Sequence, residues 1–159
     1  AHSTHNTILC ENLFTDSFAG VYYGQLALPV GKDNLIYMDG HYVNNLVAYC
    51  YDSGTAEEIN IYDMKRGEGK DPYELFLTGS RALITVENPE IKGQELIIFR
   101  DSYGSSIAPL LAAGYSKVTL IDIRYINPAM LGKFVDFEGK DVLFLYSTQV
   151  LNNSIGQFK

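Results

Sequence analysis

The chain has 159 residues, of which 47% are hydrophobic and 19% charged, and its formal net charge is −7. This length suits a single domain with a sizeable core, and the hydrophobic content excludes an intrinsically disordered chain. The acidic balance argues against nucleic-acid or anionic-membrane binding, and every apolar run is too short to span a bilayer.

The first half of the chain predicts short strands separated by turns, because brief apolar segments are broken by Gly, Asp and Asn. Asp39-Gly40 predicts a tight hairpin turn after the strand Leu35–Met38. Further on, Asp71 as N-cap and Pro72 at the first helical position predict a short helix that continues to Leu77. A strand over Ala82–Val86 closes this half of the chain.

The second half predicts a regular alternation of strands and helices. Its apolar runs indicate three strands, the first two of them buried on both faces of a sheet: Glu95–Arg100, Val118–Ile123 and Val142–Tyr146. Helices are predicted between them, one with an apolar stripe of Ile107, Leu110 and Leu111 and one over Pro128–Phe134. This order predicts an α/β fold whose sheet is parallel in the C-terminal half, with the short N-terminal strands added to it.

Ligand sites of parallel sheets lie beyond the carboxyl ends of the strands, so we expect the polar residues after the three strands to share one crevice. Ser102 lies on a strand-to-helix turn, near backbone N–H groups that can stabilise an oxyanion. A serine also needs a nearby base to become a nucleophile. A structural interpretation stays open: Ser105 or Ser106 caps the following helix, and Asp101 and Ser102 shape the turn.

Three segments resemble the C-terminal part of the DHHW family, bacterial envelope-associated proteins whose fold is similar to that of SGNH hydrolases and alginate O-acetyltransferases: Phe99–Ser106 (FRDSYGSS), Val118–Asn127 (VTLIDIRYIN) and Asp141–Ser147 (DVLFLYS). Two upstream segments also look like parts of that family, Phe18–Pro29 and Tyr73–Ser80. The resemblance implies one SGNH-like domain over residues 1–159, with a three-layer, flavodoxin-like sheet, forming the C-terminal part of a larger protein.

The resemblance also implies roles for individual residues. Ser102 matches the family's nucleophile, and the neighbouring Asp101, Tyr103 and Gly104 would form the turn and the oxyanion site. Arg124 matches an Asp-x-Arg-Tyr element and could bind a substrate carboxylate or steady developing charge. The alternative for Arg124 is a fixed structural pair with Asp101 or Asp122.

The sequence departs from the family in lacking the Asp-His-His-Trp motif that would supply the Asp and His of a triad. His41 is a weak candidate for a substitute base, and Gly79 is a weak candidate for a backbone contact in the same crevice. A serine without its base is a poor catalyst, so we expect the chain alone to have little or no activity.

Two functions remain open at this stage: a domain related to esterases and O-acetyltransferases acting on surface polysaccharide, or a non-catalytic domain that binds a glycan or another envelope protein. The resemblance implies an extracytoplasmic, cell-envelope location and a polysaccharide or acylated glycan as ligand. No metal site and no cofactor are predicted.

Cys10 and Cys50 could pair, but two buried thiols are the favoured interpretation.

Overall fold

We describe the protein from a computed structural model, in which residues 9–20 and 31–152 are described. Strands dominate this mixed α/β fold. A two-stranded antiparallel sheet pairs β1 (Cys10–Phe18) with β2 (Asp33–Asp39). The larger sheet has six strands in the order β4-β3-β5-β7-β6-β8, with these bounds: β3 Val47–Cys50, β4 Glu57–Ile59, β5 Leu83–Glu87, β6 Glu95–Arg100, β7 Lys117–Ile121 and β8 Asp141–Leu145.

The larger sheet is parallel where the sequence predicted it. β6 pairs in parallel with β7 on one side and with β8 on the other. The sheet as a whole is mixed, because β5 runs antiparallel to both β7 and β3. Therefore β3, β6, β7 and β8 share one direction, and β5 begins at the edge where those four strands end.

Short helices connect the strands: α1 (His41–Asn44), α2 (Met64–Gly67), α3 (Gly104–Leu111), α4 (Thr148–Asn152) and two 3₁₀ helices, Pro72–Leu75 and Pro128–Lys133. Asp71 caps the first 3₁₀ helix, since its carboxylate accepts a hydrogen bond of 3.0 Å from the Tyr73 N–H. The predicted helix therefore begins where expected but does not reach Leu77. Leu77 and Thr78 have φ of 50° and 59°, which turns the chain away from a helical path.

The core lies on both faces of the larger sheet, as the continuous apolar runs predicted. Leu96, Ile98 and Leu120 pack with Ala108 and Ala112 from α3 and its C-terminal end. The alternate strand residues Ile97 and Ile121 point to the opposite face. There they pack with Leu131 of the second 3₁₀ helix and with Val135 just after it.

The predicted apolar stripe of α3 is confirmed only for Leu111, which packs against the core. Ile107 is 38% exposed, and the residues that the helix buries are Gly104, Ser105, Ala108 and Pro109. The reason is a close approach to the sheet: a Cβ on Gly104 would lie only 2.5 Å from the Cβ of Arg100. Small residues therefore lie where α3 comes closest to the sheet, above Arg100.

One smaller expectation fails, and another is confirmed in part. No hairpin forms at Asp39-Gly40, because β2 pairs with the preceding β1 and then leads into α1, with Gly40 extended at φ 170°. Both cysteines are free; Cys50 is buried as expected, whereas Cys10 is exposed on β1.

Of the segment Phe18–Pro29, residues 21–29 lie outside the described part of the chain.

Within residues 9–20 and 31–152, no helix is long and apolar enough to cross a membrane. The same part of the chain holds no group of three or more His, Cys, Asp or Glu side chains arranged to bind a metal ion.

Candidate functional site

The three predicted strand ends do meet at one edge of the sheet, and Asp101 joins two of them. Its Oδ1 accepts a hydrogen bond of 3.1 Å from the Tyr103 N–H, which closes the turn after β6. Its Oδ2 accepts one of 2.7 Å from the Ser147 N–H, just beyond β8. Asp101 is 1% exposed, so the turn that carries Ser102 is fixed by a buried carboxylate.

Arg100, the last residue of β6, is fully buried beneath this turn. Its Nη1 donates to the Asp101 carbonyl at 3.3 Å and to the Ser105 Oγ at 3.1 Å, and its Nη2 donates to the Arg81 carbonyl at 3.3 Å. Burial lowers the pKa of this guanidinium, and the charge of Asp122 opposes that effect. Arg100 thus holds together three chain segments below the edge.

The Asp122–Arg124 pair lies at the neighbouring strand end, after β7. The buried Asp122 carboxylate accepts from Arg124 Nε at 2.9 Å and from Nη2 at 2.6 Å, and its Oδ2 lies 4.0 Å from Arg100 Nη1. The hydrogen bonds that Arg124 donates to Asp122 raise the pKa of Arg124. This geometry confirms the structural pairing of Arg124 with Asp122. A guanidinium has five N–H donors, and this side chain is 26% exposed, so donors remain for a ligand.

A fourth segment, Tyr73 to Ala82, completes the edge. The Ala82 carbonyl accepts from the Asp122 N–H at 2.9 Å, and the Tyr73 hydroxyl donates to Ser106 Oγ at 2.8 Å. Thr78 and Gly79 both have positive φ, a conformation that glycine tolerates and that strains a β-branched threonine. Such strained turns cluster at functional sites. The Gly79 N–H itself is bonded to the Phe76 carbonyl at 3.1 Å.

Ser102 is half-buried in the turn, with the largely exposed Tyr103 beside it. Its hydroxyl makes no hydrogen bond to any residue in the described ranges. The N–H groups expected to form an oxyanion site are engaged: Tyr103 N–H with Asp101 Oδ1, and Gly104 N–H with the Asp101 carbonyl at 3.2 Å. Both N–H groups are therefore already paired within the turn.

The capping interpretation of Ser105 and Ser106 is wrong. Tyr103 occupies the N-cap position of α3, and no side chain there caps the helix. Ser105 instead accepts from Arg100, and Ser106 donates to the Tyr103 carbonyl at 3.1 Å. The suggestion that Asp101 shapes the turn is confirmed.

His41 lies at the opposite end of the sheet from Ser102. Its Nε2 is 3.6 Å from Glu90, which follows the carboxyl end of β5, and its side chain is 84% exposed. β5 is antiparallel to β7, so this is the edge where β6 begins. The six residues of β6, at about 3.3 Å each, separate the two edges by roughly 20 Å. Among the described residues, no histidine lies near Ser102.

Tyr146, immediately after β8, has a pKa raised to about 12, first by burial and then by the charges of Asp122 and Asp101. Its hydroxyl therefore stays protonated through the neutral range. Tyr62 has a similar pKa of about 12, also raised mainly by burial.

These two tyrosines predict a loss of stability in alkali. Unfolded tyrosine titrates near pH 10, so between about pH 10 and 12 the unfolded chain loses protons that the folded chain keeps. Their contribution is complete below about pH 10 and disappears as the pH rises through about 12. Urea denaturation across this range measures it. Tyr146→Phe should flatten the decline, whereas the exposed Tyr125→Phe should not; equal slopes in all three proteins would contradict the prediction.

Sequence reasoning missed the two residues that organise the site. The sequence predicts Arg100 at the end of a strand but no role for it. Arginine is almost never fully buried unless it is paired, and its partners could not be recognised from the sequence. Tyr73 was seen only as part of a family-like segment. Both contact Ser105 or Ser106, so the serine-rich turn was the signal that could have identified them.

Comparison with known proteins shows similarity at the level of the fold. No protein-family model matches the sequence, and no curated protein matches it. A DHHW family protein from Eubacterium siraeum DSM 15702 superposes with a TM-score of 0.66 at 20% identity, covering 89% of this chain and 48% of that one. Two structures of Bacillus cereus PatB1 also superpose, each at 16% identity. The TM-score is 0.64 for the structure with a sulfonyl adduct and 0.63 for the structure without it.

The predicted resemblance to the DHHW family is thus confirmed as a shared fold. The chain spans about half the length of these solved relatives, 48% of the PatB1 structure with the adduct and 50% of the other.

Proposed function

We propose that this chain is an SGNH-like, three-layer domain of a bacterial cell-envelope protein, related to esterases and O-acetyltransferases of surface polysaccharide, with Ser102 as its nucleophile. The observation that carries the proposal is the turn itself. Two hydrogen bonds to the buried Asp101 fix it at the carboxyl edge of the sheet, and the Ser102 hydroxyl makes no hydrogen bond to any described residue.

In the proposed reaction, Ser102 Oγ forms a bond to the carbonyl carbon of an acyl ester while a base takes its proton. The ester bond then breaks and the alcohol oxygen of the glycan leaves with a proton, which gives an acyl-serine. Water or a second sugar hydroxyl accepts the acyl group from it. Arg124 stabilises the negative charge that develops on the carbonyl oxygen, or binds a carboxylate of the glycan.

The part of the chain that the structure describes places no histidine near Ser102, so the proposal takes the base from outside residues 9–20 and 31–152. His41 is excluded from that role by its position at the other edge of the sheet. We therefore expect the 159-residue chain alone to turn over little or no ester, because members of a triad act as a unit.

A covalent serine probe tests this proposal. PatB1 has been crystallised with a sulfonyl adduct, and sulfonyl fluorides modify activated serine hydroxyls, so this reagent suits the full-length protein. Labelling should be lost in Ser102→Ala and retained in Ser106→Ala, a nearby serine in α3 whose hydroxyl accepts a hydrogen bond from Tyr73. Equal labelling of all three proteins would remove Ser102 from the mechanism.

A non-catalytic glycan-binding domain is the second candidate, and two observations favour it. The described residues place no histidine near Ser102, and Tyr103 and Tyr125 at the same edge are 55% and 58% exposed, as flat surfaces that suit sugar rings. Glycan-array binding that persists in Ser102→Ala but is lost in Tyr125→Ala would favour this function over catalysis.

A further inference from the structure

A cavity of about 340 Å³ lies beside β4, far from the turn that carries Ser102. Its walls come from the end of β2, from β4 and the segment after it, and from Leu46 and Val47, where β3 begins. The volume is at the lower end of the range for small-molecule sites. β4 is four strand positions from β6 in the sheet, roughly 19 Å at about 4.8 Å for each position. The cavity is therefore separate from the crevice at Ser102.

Both charged groups that line this cavity are carboxylates. Asp39 comes from the end of β2 and Glu58 from β4, and the lining residues include no lysine, arginine or histidine. Within the described part of the chain, neither carboxylate forms an ion pair. Asn44 and Asn60 also line the cavity, and an amide carbonyl oxygen accepts hydrogen bonds as a carboxylate does. The polar groups of the wall are thus suited to a ligand that donates hydrogen bonds and carries positive charge.

Two aromatic rings form another wall of the same cavity. Tyr37 and Tyr62 both line it, and their ring centroids lie 5.0 Å apart with an interplanar angle of 57°. The face of an aromatic ring is negative, so it attracts a cation placed over it. The rings therefore favour the same sign of ligand charge as the two carboxylates.

A buried hydroxyl group near the cavity has no hydrogen-bond partner among the described residues. It belongs to Tyr42, which is 7% exposed and precedes the lining residue Val43. The pKa of Tyr62 is raised to about 12 first by burial and then by the charge of Tyr42, so these two hydroxyls lie near each other. Buried polar groups nearly always have a partner. A hydroxyl left without one beside a cavity is a second sign of a ligand.

We propose that this cavity binds a small organic molecule that carries a primary ammonium group. An ammonium group has three N–H donors and no acceptor, which matches the carboxylates of Asp39 and Glu58 and the amide carbonyls beside them. Its charge also suits the two tyrosine rings. The net charge of −7 adds a long-range attraction for cations.

Other ligand classes fit this cavity less well. An anion would meet two carboxylates and no basic lining group, and a neutral molecule would leave both negative charges without a counter-charge. A metal ion would need several clustered ligands, and the described residues contain no group of three or more His, Cys, Asp or Glu side chains that could hold one.

Titration calorimetry of the protein with two amines and their neutral analogues tests the proposal. Cadaverine is compared with pentanediol, and cyclohexylamine with cyclohexanol. We expect at least one amine to bind with a Kd in the millimolar range or below, and its alcohol to bind at least about tenfold more weakly, because the alcohol has no charge for the carboxylates. Absence of binding by both amines would overturn the proposal, and so would equal binding of amine and alcohol.

Two neighbouring carboxylates on β4 provide matched variants. Glu58→Gln should weaken binding of the amine at least about fivefold, because it removes a charged hydrogen-bond acceptor from the wall. Glu57→Gln should leave the affinity unchanged, since Glu57 is the next residue of the same exposed strand but does not line the cavity. Equal affinities in these two variants would contradict the assignment of the site.

The aromatic wall has its own test. Tyr37→Leu should weaken binding of the amine by about twofold to fivefold, the range expected for loss of one cation–π contact, and an unchanged affinity would remove the rings from the site. Serine labelling should be the same in Glu58→Gln as in the parent protein, because the cavity shares no residue with the Ser102 turn. This proposal and the proposed function can therefore fail separately.

Discussion

Replacing Asp122 by Asn is expected to lower the free energy of unfolding by about 3–5 kcal/mol, the range observed when one partner of a buried ion pair is removed. Asp122 is fully buried and faces two guanidinium groups, bonding Arg124 twice and lying 4.0 Å from the fully buried Arg100. Asparagine keeps the shape of the side chain but leaves Arg100 charged in a site where burial already lowers its pKa. Urea denaturation at neutral pH measures the loss.

The matched control is an ion pair at the other edge of the same sheet. Lys117 and Glu87 lie 3.2 Å apart, but their side chains are 34% and 42% exposed. Pairs in such exposed positions contribute about 0–1 kcal/mol, so Glu87→Gln should cost far less than Asp122→Asn. Equal losses in the two variants would show that Asp122 is not the charge that holds Arg100 and Arg124 in place.

Replacing Gly104 by Ala should destabilise the protein by about 1–3 kcal/mol through overpacking. The new Cβ would lie 2.5 Å from Arg100 Cβ, 2.8 Å from its Cγ and 3.1 Å from its Cδ. Arg100 cannot move aside easily, because three hydrogen bonds hold its guanidinium. Alanine favours a helix over glycine by up to about 1 kcal/mol, so a net loss means that the steric overlap dominates.

Gly132→Ala provides the comparison, since a Cβ there meets no atom within 4 Å. We expect its effect to be within about 0.5 kcal/mol of zero, as for other open positions. Chemical denaturation of both variants checks the pair. A Gly104→Ala variant as stable as the parent protein would contradict the close contact between α3 and Arg100. It would also contradict the conclusion that Arg100 supports the turn that carries Ser102.

The parallel core could be predicted from the sequence because strands buried on both faces leave continuous apolar runs, as in Glu95–Arg100 and Val118–Ile123. The convergence of Asp101, Arg124 and Ser147 at one edge followed from that topology. What local patterns could not show was long-range pairing. The hairpin expected at Asp39-Gly40 was displaced by the pairing of β2 with β1, and β5 entered the sheet antiparallel to β7.

The site was predicted less completely than the fold, for a physical reason. Ser102, Asp101 and Arg124 lie on turns, where polar residues signal an exposed edge. Arg100 lies within a buried strand, and only the arrangement of Asp122, Ser105 and the Arg81 carbonyl around it makes its burial possible. Those partners are distant in sequence from one another. The small-residue face of α3 depends on the same buried side chain and was missed for the same reason.

In the proposed function, Ser102 and Arg124 serve one crevice at the carboxyl edge of the sheet. A crystal structure of the full-length protein after reaction with a sulfonyl fluoride tests it most directly. We predict an adduct on Ser102 Oγ, with its sulfonyl oxygens facing the Arg124 guanidinium across the crevice. An adduct on another residue, or one on Ser102 that faces away from Arg124, would contradict the account.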